Sequence, residues 1–118
     1  MRPFVAALAL LAGCLSERPR PAPPLLTITL SMPTAHVRDT VTGTVRAEDA
    51  SGLDSLWLSL DGGAPSGQDG RFDTAVQSSF RFVVVASHTP GYLIPIQFRA
   101  RDLDGFVSQR DTTVRVVP

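Results

Sequence analysis

Residues 92–101 read Tyr92-Leu93-Ile94-Pro95-Ile96-Gln97-Phe98-Arg99-Ala100-Arg101. Tyr92, Ile94, Ile96, Phe98 and Ala100 alternate with Leu93, Pro95, Gln97, Arg99 and Arg101. A period of two sends one set to one face of a strand and the other set to the opposite face. One apolar face and one mixed face describe a strand buried on a single side, the habit of antiparallel sheets. Pro95 cannot donate to a ladder, so a bulge is expected there, or a place at the sheet margin.

The same alternation recurs on either side. It runs through Leu26, Ile28 and Leu30, through Val41, Gly43, Val45 and Ala47, and through Leu56, Leu58 and Leu60. It returns at Phe80, Phe82 and Val84 and again at Val114 and Val116. No segment sustains apolar spacing at the helical period. Turn chemistry separates the runs: Asp49-Ala50-Ser51-Gly52, Asp61-Gly62-Gly63, Thr89-Pro90-Gly91 and Asp102-Leu103-Asp104-Gly105. Gly67-Gln68-Asp69-Gly70 reads as a loop ahead of a short strand near Arg71-Phe72-Asp73. The expectation is an all-β, antiparallel β-sandwich of about seven strands over residues 25–118, a size at which one such domain folds alone.

Three stretches carry a resemblance. They are Asp39-Thr40-Val41-Thr42-Gly43-Thr44-Val45-Arg46-Ala47, Gly52-Leu53-Asp54-Ser55-Leu56-Trp57-Leu58-Ser59-Leu60-Asp61-Gly62, and residues 94–117 with Ala100-Arg101-Asp102-Leu103-Asp104-Gly105 at their turn. Together they look like the bacterial immunoglobulin-like domains of cell-surface proteins, with fibronectin type III-like and cadherin-like sandwiches as near neighbours. The resemblance implies a fold and a surface setting. It implies no catalytic residue and no ligand.

The start of the chain suggests how the domain is delivered. Arg2 precedes an apolar run over 4–11, followed by Leu11-Ala12-Gly13-Cys14. A charged start, a short apolar stretch and small residues describe a secretory signal, and the run is too short to span a bilayer. With the only cysteine at residue 14, the stretch resembles the lipobox of bacterial lipoproteins. That resemblance makes 1–13 a signal peptide and Cys14 the acylated, membrane-anchoring first residue of the mature chain. Leu15 resembles the residue found there in lipoproteins retained in the outer rather than the inner membrane. Residues 14–24 then form a tether, whose four prolines at 19, 21, 23 and 24 favour polyproline II and exclude helix. In polyproline II, at about 3.1 Å per residue, residues 15–24 span about 30 Å.

All eleven basic residues are arginine, and asparagine is absent, so no N-glycosylation acceptor exists. Removing 1–13 leaves ten arginines against eleven acids. That balance offers no electrostatic attraction for nucleic acid.

Catalytic signals are lacking. His36 and His88 are the only neutral-pH bases, and both read as surface loop residues without partners. Ser66 lacks the glycine spacing of a nucleophile elbow. The expectation is a non-enzyme with no cofactor, acting as a binding or structural module toward an envelope protein or glycan. Alternatives are a calcium-stabilised spacer and an accessory subunit of an envelope enzyme or transport complex.

Two constellations stand out. In an immunoglobulin-like sandwich, Glu48, Asp49 and Asp54 share one end with Asp102 and Asp104, and converging carboxylates suit calcium. The Asp102-x-Asp104 spacing is loosely cadherin-like. Turn aspartates that cap their own backbone are the commoner arrangement. Trp57 is the second. It either projects outward beside Gln97 and Arg99 as a partner contact, or is turned inward by a bulge as ordinary packing. Ordinary packing is the favoured expectation.

Overall fold

A computed structural model describes residues 22–118. The expected signal peptide over 1–13, Cys14 and most of the expected tether lie outside the described residues. Eight strands follow in chain order: β1 (Leu25–Leu30), β2 (Thr34–Ala35), β3 (Thr40–Glu48), β4 (Leu53–Leu60), β5 (Ser66–Asp69), β6 (Ala75–Val83), β7 (Leu93–Asp102) and β8 (Val107–Val116). They form two sheets, ordered β1-β3-β6 and β2-β8-β7-β4-β5, which pack as a β-sandwich. All pairings are antiparallel except the two-residue bridge between β2 and β8.

The alternating residues make the core. Val41, Val45, Ala47, Leu56, Ile94, Ile96, Phe98, Ala100, Val114 and Val116 are all buried, as the period-two reading expects. Tyr92 departs from it: the residue precedes β7 and is exposed. Gly43 also has a packing role. A Cβ there would lie 2.4 Å from Cζ of Phe80 and 2.6 Å from the Thr29 carbonyl oxygen. The Phe80 ring therefore covers the bare α-carbon of its cross-strand partner, an aromatic filling a glycine's gap.

Pro95 sits in β7 without a bulge, in continuous register with Thr113. Its carbonyl accepts from the Asp61 N–H at 2.8 Å, beyond the last β4–β7 pair, Leu60–Ile96. The missing N–H would point the same way, past the end of β4, so no ladder bond is lost. The margin expectation holds for that reason.

One strand was misplaced. Arg71 and Phe72 both have positive φ, 54° and 63°, which no strand residue adopts. With the Asp73 N–H donating to the Gly70 carbonyl at 3.0 Å, residues 70–73 form a type I′ turn. The strand is instead β5, paired with β4 (Trp57 with Gly67, Leu56 with Gln68), and the two-residue β2 brings the total among the described residues to eight. β5 is exposed throughout, so no apolar alternation marks it in the sequence. The ordered domain also begins slightly earlier than Leu25: Pro24 is buried, and its carbonyl accepts the Ser108 hydroxyl at 2.6 Å.

The register fixes the two ends. Leu25 pairs with Glu48 and Glu48 with Ala75, while Leu53 pairs with Asp102. The start of β1, the 49–52 turn, the 70–74 turn and the 103–106 turn therefore gather at one end. The 61–65 and 84–92 loops and Pro118 lie at the other.

Candidate functional site

The expected acidic end exists as a place. The Leu103 N–H donates to the Gly52 carbonyl at 3.1 Å, joining the two predicted loops. The acids themselves are largely occupied. Asp49 is buried, and its Oδ1 accepts from the Ser51 N–H at 2.9 Å and the Ser51 hydroxyl at 2.5 Å. Glu48 accepts from Arg46 Nε at 2.7 Å. Asp54 accepts from the Ser55 hydroxyl at 3.3 Å. Asp104 is exposed. Among the described residues, no group of three or more His, Cys, Asp or Glu comes together in a metal-ligating arrangement.

Asp102 is the exception in this set. It is only 1 % exposed. Its Oδ1 caps its own turn by accepting from the Phe106 N–H at 2.8 Å. Its Oδ2 is buried and has no hydrogen-bond partner. A buried carboxylate oxygen left unpaired costs free energy and calls for a partner.

Trp57 faces outward. The predicted inward turn fails because the β4 bulge falls between Leu53 and Ser55, upstream of it. Leu56, opposite Ala100, and Leu58, opposite Phe98, keep the inward side. Trp57 is half-buried, paired with Arg99 on β7 and lying against Gly67 on β5. Trp57 and Arg99, with Ser59, Pro65 and Gln97, line a depression of about 220 Å³. The opposite sheet carries a shallower concavity of about 540 Å³ around Gly43, whose lining, from Leu30 and Phe80 to Thr29, Thr42 and Thr44, is mostly apolar.

A third cluster, at the far end, was not legible from sequence. His88 is not a free surface residue: its side chain is 10 % exposed. Its Nδ1 accepts from the Val85 N–H at 3.0 Å, so the ring proton resides on Nε2, which meets Asp61 Oδ2 at 2.6 Å. Tyr92 donates its hydroxyl to Asp61 Oδ1 at 2.8 Å, and its ring stacks on His88 at 5.5 Å between centroids. The His88 bond holds the Asp61 carboxyl below its ordinary range; desolvation opposes it, and Tyr92 adds to the lowering. The hydrogen bond from Tyr92 to Asp61 pushes the Tyr92 phenol up. Asp61 reaches both partners because it occupies the left-handed first position of an Asp-Gly type I′ turn, with φ 55°. The cluster pins the 61–65 loop to the 84–92 loop. Both nitrogens of His88 are spent on it, and a general base needs one free. His36, by contrast, is exposed and faces only Asp39, at 3.4 Å.

No family model matches the chain, and no curated protein matches it in sequence. Solved structures do resemble it. The PKD domain of an M14-like peptidase from Thermoplasmatales archaeon SCGC AB-540-F20, an immunoglobulin-like sandwich, aligns with a TM-score of 0.64 at 14 % identity, over 83 % of this chain and 99 % of that one. Spo0M, a sporulation control protein from Bacillus subtilis, aligns with a TM-score of 0.56 at 13 % identity, over 82 % of this chain and 50 % of that one. At such identities the likeness speaks for the fold alone: the chain has an immunoglobulin-like β-sandwich fold, shared with a PKD domain.

Proposed function

We propose that this chain is a lipid-anchored protein of the bacterial envelope whose one immunoglobulin-like domain is a non-catalytic binding or structural module. The observation that carries the reading is the order of features along the chain. Arg2, an apolar run, Leu11-Ala12-Gly13-Cys14 and a proline-rich stretch lead into a sandwich at one end. The outer face around Trp57 and Arg99 supports a docking role, because an aromatic beside an arginine over a depression is the composition of contact sites. The protein or glycan it takes, or an enzyme or transport complex it serves, would meet that face. Growth with labelled palmitate tests the anchor. The wild type is expected to take up label and to sediment with membranes, and Cys14→Ser is expected to lose both. Unlabelled, soluble wild type would overturn the reading.

A calcium-stabilised spacer is the second reading, favoured by the unpartnered Oδ2 of Asp102. Calcium takes six to eight oxygens, and turn carbonyls and water can complete a set that carboxylates alone do not. On this reading, the mature chain in detergent melts several degrees higher with millimolar calcium than with chelator, since binding to the native state stabilises it by mass action. Asp102→Asn is expected to abolish that difference. No difference in the wild type sinks the spacer reading.

A further inference from the structure

The geometry points to a second membrane contact: the end of the sandwich bearing Phe72, Leu103 and Phe106 rests on the lipid surface in which Cys14 is anchored. The inference depends on the proposed acylation of Cys14.

Topology supplies the first argument. β1 begins at the end where the 49–52, 70–74 and 103–106 turns gather, and the C-terminus lies at the other. A chain anchored at Cys14 therefore presents this end to the membrane. In polyproline II residues 15–24 reach about 30 Å, and tethering within that distance raises the local concentration so far that a weak contact suffices.

Surface composition supplies the second. Phe72 is 73 % exposed, and Leu25, Leu103, Phe106 and Val107 are also exposed at this end. Clustered exposed apolar side chains mark an interaction site, and aromatic side chains suit the boundary between headgroups and acyl chains.

The backbone supplies the third. Phe72 is held outward by a strained turn, since two successive left-handed residues that are neither glycine nor asparagine are costly. The strain persists because the turn is overdetermined. Asp69 Oδ1 accepts from the Arg71 N–H at 2.8 Å, and the Leu53 carbonyl accepts from the Phe72 N–H at 3.1 Å. The Asp73 carbonyl accepts from the Leu53 N–H at 2.8 Å, and the Asp54 carbonyl from the Gly70 N–H at 2.9 Å. An exposed ring on a rigid, strained turn is placed rather than incidental.

Charge fixes the kind of contact. Asp73 and Asp104 are exposed here alongside Arg71 and Arg101, which gives no basic patch. The contact is apolar, so neutral headgroups serve as well as anionic ones.

The test uses the mature acylated protein in phosphatidylcholine vesicles with brominated acyl chains. In a Trp57→Phe background, one variant carries Phe72→Trp and a control carries Val85→Trp at the far end. Flotation reads the anchor, and quenching reads the contact. Both proteins are expected to float. The indole at 72 is expected to be quenched at least about twofold more than that at 85, because only groups in the interface meet the bromines. Adding phosphatidylglycerol is expected to change nothing. Equal quenching at 72 and 85 in floating protein would overturn the contact while leaving the anchor intact. Quenching that requires phosphatidylglycerol would overturn its apolar character. Failure to float would overturn the anchor and the inference together.

Discussion

Phe98→Ala is expected to cost about 3–5 kcal/mol of stability, the range for truncating a fully buried phenylalanine. Phe98 is 1 % exposed and lies on β7 between Leu58 of β4 and Arg110 of β8. Its side faces the second sheet, whose Val45 and Phe80 belong to the same core, as does Leu56 on the neighbouring strand β4. The only cysteine of the chain is Cys14, so no disulfide within the domain shares the load. A domain of this size has about 5–15 kcal/mol in all, so the loss removes much of it. The melting temperature should fall by about 15–25 °C. Urea unfolding followed by Trp57 fluorescence measures it. A loss below about 1 kcal/mol would show that the sheets do not close over this ring.

Gly70→Ala is expected to cost about 2–4 kcal/mol, more than Gly62→Ala, although only Gly62 has a left-handed φ, at 71°. A Cβ on Gly70 would lie 2.4 Å from the Leu53 carbonyl oxygen and 2.6 Å from its carbon. Both atoms are backbone, so the turn must move, and the hydrogen bonds joining it to Leu53 and Asp54 go with it. A Cβ on Gly62 would meet nothing within 4 Å, leaving about 1 kcal/mol of backbone strain. Paired melts of the two variants decide it. A larger loss at Gly62 would show that the 70–74 turn yields freely, and with it the rigid placement of Phe72.

Most of the sandwich was readable because alternation is written into neighbouring residues. Ile94, Ile96, Phe98 and Ala100 announce their face whatever they pack against. β5 was not readable: Ser66-Gly67-Gln68-Asp69 is exposed on both faces, and a strand with no buried face has no apolar period. The Trp57 question turned on a bulge, and bulges are set by how two strands fit rather than by either strand alone.

The candidate sites divide in the same way. That the 48–54 and 102–104 loops share an end followed from the fold class. Which carboxylate is buried did not: Asp49 and Asp102 are covered, and Asp104 is not. Nor could any local pattern announce Asp61 and His88, which meet from 27 residues apart.

The sequence by itself determined most of the antiparallel strands, their inward faces, and the tight reversals at Asp61-Gly62 and Asp102–Gly105. Backbone periodicity and turn chemistry act over a few residues, and they survive in any fold that buries one face. Only the tertiary structure decided that Phe72 stands outward on a left-handed turn, that Trp57 faces a depression, and that one oxygen of Asp102 is sealed in without a partner. Each of these depends on which distant strands come to lie side by side, and that is settled by packing two sheets together.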